Sequence, residues 1–284
     1  FALKRAKRTG DPEIYQPRAH DLARRHFTIE TSLRRAIEAD RLTLAFQPVV
    51  ELATGRVSSF EALARWTENG EPISPGTFIP VAEECGLIVP LGRWALDAAL
   101  RTLADWDRRA GGANSRFAVN VSALQIARDD LPRRIADALS TTGVEAGRLM
   151  LELTESAIVA EPGKAARTLH EVREIGCCLA LDDFGTGYSN LAYLQRLPID
   201  ILKMDQSFVT GMLGDRDKVA IVRAILSLAD ALGLQTTAEG VESAPLAQTL
   251  AALGCTRAQG YLYAPPLEAE AAFAYWIANS SAAT

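Results

Sequence analysis

Two adjacent aspartates, Asp182 and Asp183, close the apolar run CLALDD. Crowded carboxylates repel, and each raises the other's pKa, so such a pair needs a special reason. Hard divalent cations supply one. Further oxygen-bearing side chains stand at the ends of other apolar runs: Glu61 after VSSF, Asn120 in FAVNVS, Glu152 in LMLEL and Glu239 after LQTTA. Oxygen donors of this kind select Mg²⁺ or Mn²⁺. The only histidines are His20, His26 and His170, so a histidine-ligated zinc site is not expected. In such a set Asp182 can bridge two cations, with Asp183 on one of them. A cation pair about 4 Å apart activates a water and holds both oxygens of an in-line phosphoryl displacement.

Taken singly, each acid also fits a salt bridge or a helix cap. The tandem aspartates fit that reading poorly, because capping needs one oxygen, and recurrence along the chain fits it worse still. Lys203 lies in IDILKM between apolar neighbours, and alternation puts it on the same side of its strand as Asp205. A lysine among carboxylates can orient or help deprotonate an attacking water, the alternative being a structural Lys–Asp pair. Arg65, two residues past Leu63, has the planar fork that clamps a phosphate, the alternative being a surface ion pair. The glycines of GTGYSN, directly after DDF, permit tight turns and read as a mobile loop over the site, tethered by Glu155. Trp94, Trp106, Trp276 and Met212 are spaced like core.

These groups need elements to carry them. TIETSLRRAIEAD reads as a helix, with Thr28 or Thr31 as its N-cap. LAFQPVV, a Thr54–Gly55 turn and VSSFEAL read as an antiparallel hairpin. From there, strands and helices alternate: FAVNVS, LMLEL, CLALDDF, IDILKM, LQTTAEG and a short AQGYLY, separated by helical stretches that include SNLAYLQRL, and closed by an amphipathic helix through LEAEAAFAYWIAN. Roughly eight strand candidates joined by helices signal parallel βαβ units, as an open sheet or a barrel. An open sheet gathers its site at one switch point, whereas a barrel builds it on the C-terminal rim of many strands. Polar groups at nearly every strand end favour the barrel.

The chain has 284 residues, 48% hydrophobic, enough for a large core in one or two domains. A net charge of −5 argues against DNA or RNA as a partner. Cys85, Cys177, Cys178 and Cys255 show no CxxC spacing and read as reduced thiols of a cytoplasmic protein. Arg223 and Asp230 interrupt VAIVRAILSLADALGL, which makes it a packed helix rather than a membrane span. Residues 1–27 are rich in Lys and Arg and read as a solvated basic helix with a linker, and the start at Phe1 reads as a piece of a longer protein.

With FQPVV, FEALARW, SPGTFIPVAEECGLI, VNVS, LELTES, LDDFGTGYSNL, LKMDQSFV, AEGVE and QGYLYAPPL in order, the chain resembles the EAL-domain family of cyclic di-GMP phosphodiesterases from about Thr28 to Asn279. Glu61-Ala62-Leu63 is the signature itself. The resemblance implies a TIM-like (β/α)8 barrel with one antiparallel strand, and hydrolysis of cyclic di-GMP to linear pGpG with two Mg²⁺ or Mn²⁺ ions. Glu61, Asn120, Glu152 and Asp182 would hold one ion, and Asp182, Asp183 and Glu239 the second. Lys203 would position the water, supported by Asp205 and Glu242. Glu155 would hold the DDFGTGYSN loop and link the site to a homodimer contact. Gln47, Leu63, Arg65 and Gln259 would touch the nucleotide. Ala64, in place of a frequent Leu, and Val49, in place of a frequent Ile, depart from the pattern without touching its chemistry.

The preface ALKRAKRTG is similar to the last helix of a GGDEF diguanylate cyclase domain. That implies residues 1–27 as its remnant with a linker, residues 28–284 as the phosphodiesterase barrel, and a parent protein that carries the upstream domain and can be membrane-anchored. A receptor that binds the nucleotide without hydrolysing it is the alternative. Loss of a metal ligand would mark it, and no charged position expected of an active member is missing.

Overall fold

A computed structural model describes residues 17–111, 115–186 and 195–280. In chain order it holds α1 (Pro17–Glu38), β1 (Leu42–Glu51), β2 (Val57–Glu68), β3 (Glu71–Ile73), α2 (Pro75–Cys85), α3 (Ile88–Ala110), β4 (Phe117–Asn120), α4 (Ala123–Arg128), α5 (Leu131–Thr142) and β5 (Leu149–Thr154). There follow α6 (Glu155–Ala160), α7 (Pro162–Ile175), β6 (Cys178–Phe184), β7 (Ile201–Met204), α8 (Gln206–Val209), α9 (Arg216–Ala231), β8 (Gln235–Ala238), α10 (Ala244–Ala252), β9 (Arg257–Gln259), β10 (Leu267–Glu268) and α11 (Ala269–Ser280).

Eight strands close into a barrel in the order β1-β9-β8-β7-β6-β5-β4-β2, with β2 returning to β1. β1 runs antiparallel to both its barrel neighbours, and the remaining barrel pairings are parallel. This is the TIM-like barrel with one reversed strand that the sequence predicts. The hairpin stands as expected: β1 and β2 pair from Leu42↔Trp66 to Val50↔Val57, and Gly55 makes the turn at φ +71°. Two short strands were not foreseen. β3 extends β2, and β10 adds to β1. Conversely, AQGYLY is strand only as far as Gln259, and Tyr261–Tyr263 form the turn beyond it.

Period-two alternation sorts the strand side chains. Ala118, Met150, Ala180 and Ile201 face the barrel interior and form an apolar floor. Two residues further along the same face stand Asn120, Glu152, Asp182 and Lys203. The intervening residues point outward into the main core, where Phe46, Phe60 and Phe117 meet Trp106 of α3 at ring centroids 4.9–6.0 Å apart. Such ring pairs are worth about 0.5–1.5 kcal/mol each beyond burial, and they clamp α3 to β1, β2 and β4. A second apolar cluster, including Leu33, Ala36, Phe78 and Leu91, fastens α1 and α2 against Trp66 near the end of β2.

The helix start is a correction. α1 begins at Pro17 and runs unbroken through Thr28 and Thr31, so neither is an N-cap. Thr28 Oγ1 instead donates back to the Arg24 carbonyl (2.9 Å), the mid-helix habit of this side chain. Most of SNLAYLQRL and of GTGYSN falls on residues 187–194, outside the described residues, and residues 195–197 at the end of the expected helix form a turn. All four cysteines are free thiols. Among the described residues, no helix is long and apolar enough to cross a membrane.

Candidate functional site

At the C-terminal rim of the parallel strands the inward-facing polar groups converge around one ammonium. Lys203 Nζ lies 2.8 Å from Glu152 Oε2, 2.8 Å from Glu239 Oε1, 3.1 Å from Asp182 Oδ1 and 3.6 Å from Glu61 Oε2. β7 places it there because Leu202 and Met204 take the outward core positions and leave Lys203 the inner one. Its side chain is 2% exposed. A buried lysine is tolerable only when paired. Burial pulls its pKa down, and four carboxylates, led by Glu152 and Glu61, more than reverse that and raise it well above its ordinary value. Lys203 is therefore a fixed cation.

Polar donors orient the carboxylates. Asn120 Nδ2 donates to Glu61 Oε1 (2.8 Å), and Gln259 Nε2 donates to Glu61 Oε2 (2.7 Å) and to Gln47 Oε1 (3.0 Å). Gln47 Nε2 in turn donates to the Ala264 carbonyl (3.3 Å). Burial works to raise the Glu61 carboxyl, but Lys203, Gln259 and Asn120 outweigh it and hold it below the usual range. Glu152 has fewer such donors. Burial, with Glu61 and Asp182 nearby, lifts it well above normal despite Lys203. Burial, with Asp182 and Glu61 nearby, likewise lifts Glu239 to about 7. Asp183 is raised by burial and then by Asp182 and Asp205.

Asp182 and Asp183 are neighbours on one strand, where side chains ordinarily alternate. They reach the same site because Asp183 sits at φ +54°, in the left-handed region that aspartate tolerates better than most residues. The pairing of β6 with β7 slips between Leu181 and Phe184 at the same place, and the Asp183 N–H donates to Asp182 Oδ1 (3.0 Å). On the far side, Gly260 lets two loops meet: a Cβ there would lie 2.2 Å from the Val241 carbonyl oxygen. The Val241 N–H donates to the Gln259 carbonyl (3.0 Å), tying the β8 loop, with Glu239 and Glu242, to Gln259.

Two overlapping sets of oxygens result, Glu61–Glu152–Asp182 and Asp182–Asp183–Glu239, each with its ligand atoms within 4.8 Å of one another. Two like charges 4 Å apart cost about 4 kcal/mol at an effective dielectric near 20, and one ammonium cannot neutralise five carboxylates. The donor set thus fits hard divalent cations, with Asp182 shared. Asn120 has its amide nitrogen on Glu61, which leaves its carboxamide oxygen as the atom available to a cation.

An open cleft of about 360 Å³ lies over this cluster. Gln47, Leu63, Glu242 and Gln259 line it, together with Gln206 and Tyr261, which the sequence reading did not name. Tyr261 is 68% exposed, and an aromatic directly after the Gln-Gly turn was the available signal. Arg65 stands beside the cleft on the same strand face as Glu61 and Leu63. Its Nη1 donates to the Ala64 carbonyl (2.9 Å), and its charge is within reach of Glu61 and Tyr261. Asp205 requires correction: β7 ends at Met204, so alternation no longer applies, and Asp205 caps α8 by accepting from the Ser207 N–H (3.0 Å). Its charge reaches Asp183, and it is not among the carboxylates paired with Lys203. Glu155 is buried at the start of α6, and the loop it was expected to tether lies outside the described residues.

The model of the family described as EAL domain matches residues 30–266. The chain belongs to the EAL domain family. Within it, this EAL domain is 41% identical over 239 residues to the bifunctional diguanylate cyclase/cyclic di-GMP phosphodiesterase MucR of Pseudomonas aeruginosa, covering 84% of this chain and 35% of the relative. It is 40% identical over 265 residues to the cyclic di-GMP phosphodiesterase PdeR of Escherichia coli, covering 93% and 39%. Among solved structures it resembles the PaMucR phosphodiesterase in complex with cyclic di-GMP, with a TM-score of 0.81 and 40% identity over 86% of this chain and 99% of that one. The EAL domain spans about a third to two fifths of the length of the curated relatives it matches.

Proposed function

We propose that this EAL domain hydrolyses cyclic di-GMP to linear pGpG with two Mg²⁺ or Mn²⁺ ions. The observation that carries the reading is the pair of oxygen clusters sharing Asp182, with Lys203 buried against both, in a family whose named relatives include cyclic di-GMP phosphodiesterases. Glu61, Asn120, Glu152 and Asp182 would hold one ion, and Asp182, Asp183 and Glu239 the other. Bound there, the cations supply charge neutralisation at the scissile phosphate and lower the pKa of a water.

The protein's own groups do the rest. Water oxygen forms the new P–O bond as the P–O3′ bond breaks, and the ribose 3′ oxygen leaves with a proton. Lys203, buried between the two oxygen clusters, would orient the attacking water by donating a hydrogen bond from its ammonium. Glu242 would support this arrangement from the cleft side, and Asp205 from beside Asp183. Gln47, Leu63, Arg65 and Gln259 would hold the nucleotide. Glu155 would fasten the loop after β6 and couple it to a homodimer contact.

Residues 1–27 are read as the tail of an upstream GGDEF domain with its linker, and residues 28–284 as the phosphodiesterase barrel of a cytoplasmic signalling protein, a boundary that falls within α1. The greater length of the relatives and the bifunctional name of one of them support that division. The test is incubation of the purified chain with cyclic di-GMP, with and without Mg²⁺ or Mn²⁺, followed by product separation. The expected outcome is pGpG only with metal present. Tight binding without turnover would assign a receptor instead.

A further inference from the structure

We infer that Gln125 and Gly92 position the cation ligand Asn120 through the loop that joins β4 to α4. The inference rests on the proposed cation site but concerns residues that touch neither cation nor nucleotide.

Asn120 is the last residue of β4, and Ser122 is the N-cap of α4 two residues later. Two backbone donors fix the short connection. The Val121 N–H donates to the Glu152 carbonyl (2.7 Å), so the main chain of one candidate ligand supports that of the next. The Ser122 N–H donates to Gln125 Oε1 (3.1 Å), and the Gln125 N–H returns to Ser122 Oγ (3.2 Å), forming a capping box. The Gln125 side chain that closes this box is buried, 4% exposed.

Gly92 makes the burial possible. It lies inside α3, where glycine is about 1 kcal/mol less favourable than alanine, so the helix itself gives no reason for it. A Cβ at this position would stand 2.1 Å from Gln125 Nε2 and 2.4 Å from its Cδ. The displaced carboxamide would have little room, since the adjoining cavity measures about 10 Å³, space for about one water. Gly92 therefore sets Gln125, Gln125 sets the Ser122 N–H, and the loop sets Asn120. Because Asn120 holds Glu61 by a 2.8 Å hydrogen bond, an error here moves two ligands.

Gln125→Met keeps the volume of the wedge and removes its acceptor. The expected result is an intact circular dichroism spectrum, a Tm within a few degrees of wild type, and Mn²⁺ affinity by calorimetry lowered roughly 10- to 100-fold, as when a group supporting a ligand is lost. Here kcat falls more than KM changes. Gly92→Ala shows the same loss of Mn²⁺ affinity although alanine favours the helix. The double variant Gly92→Ala/Gln125→Ala removes the clash, so it regains thermal stability while Mn²⁺ affinity stays low. Wild-type Mn²⁺ affinity in folded Gln125→Met or in the double variant would overturn the inference and leave the cation site standing. A wild-type chain that takes up no Mn²⁺ would remove the cation site and the inference with it.

Discussion

Lys203 does opposite work in the two states of the site. Without cations it is the one ammonium paired with Glu61, Glu152, Asp182 and Glu239 among the described residues, all within 3.6 Å. Removing one partner of a buried ionic cluster typically costs about 3–5 kcal/mol, so Lys203→Ala should lose about that much stability in EDTA. Mg²⁺ should return more of the loss than it adds to wild type, as urea midpoints would show. With metal and substrate present, the same variant should slow hydrolysis more than it weakens nucleotide binding, and equal losses would recast Lys203 as a binding group. Glu61→Ala should bring turnover to background with an unchanged circular dichroism spectrum, and full activity with Mg²⁺ would refute its place in the cation set. Most of these residues were legible in the sequence, because a charged or amide group at the end of an apolar run has few other uses. Asp205 was misread because alternation cannot be carried past the end of a four-residue strand. Gln125 was missed although Ser122-Ala-Leu-Gln125 is a capping-box spacing, since nothing in the chain announces that the box is buried.

Among the elements, the barrel strands were legible as apolar runs of the right length between helical stretches. β3 and β10 were not, because three and two residues are too short to show a period. The start of α1 was misjudged by the same local logic: a threonine before a helical pattern looks like a cap whether or not the helix extends behind it. The distinction is measurable. Thr28→Ala should change stability by no more than about 0.5 kcal/mol, since alanine suits a helix interior. Asp215→Ala should cost about 1 kcal/mol, because Asp215 caps α9 by accepting from the Asp217 and Lys218 N–H groups at 2.9 and 3.2 Å. Chemical denaturation of the two variants separates them, and an equal loss in both would restore Thr28 as a cap.

For the whole molecule, the charge at the rim opposes folding whenever cations are withheld. Glu152, Asp183 and Glu239 all have raised carboxyl pKa values, Glu239 near 7, so the folded form binds protons that the unfolded chain releases. Their contribution is complete below about pH 4.5 and is lost as pH rises through about 7. Stability in EDTA should therefore fall between about pH 5.5 and 8, with a slope of about 1.4 kcal/mol per pH for each extra proton the folded form holds, whereas excess Mg²⁺ should flatten the profile. A metal-free chain that becomes more stable over that interval would contradict this account of the cluster.

The backbone at Asp183 has a consequence for how such a protein can change. At φ +54° the position admits Asn or Gly without backbone strain but resists branched side chains. On the proposed function, one nucleotide change at this codon would remove a cation ligand and leave the barrel and its cleft whole. A hydrolase built this way would lie a single step from a sensor of the same molecule, with no folding barrier in that direction.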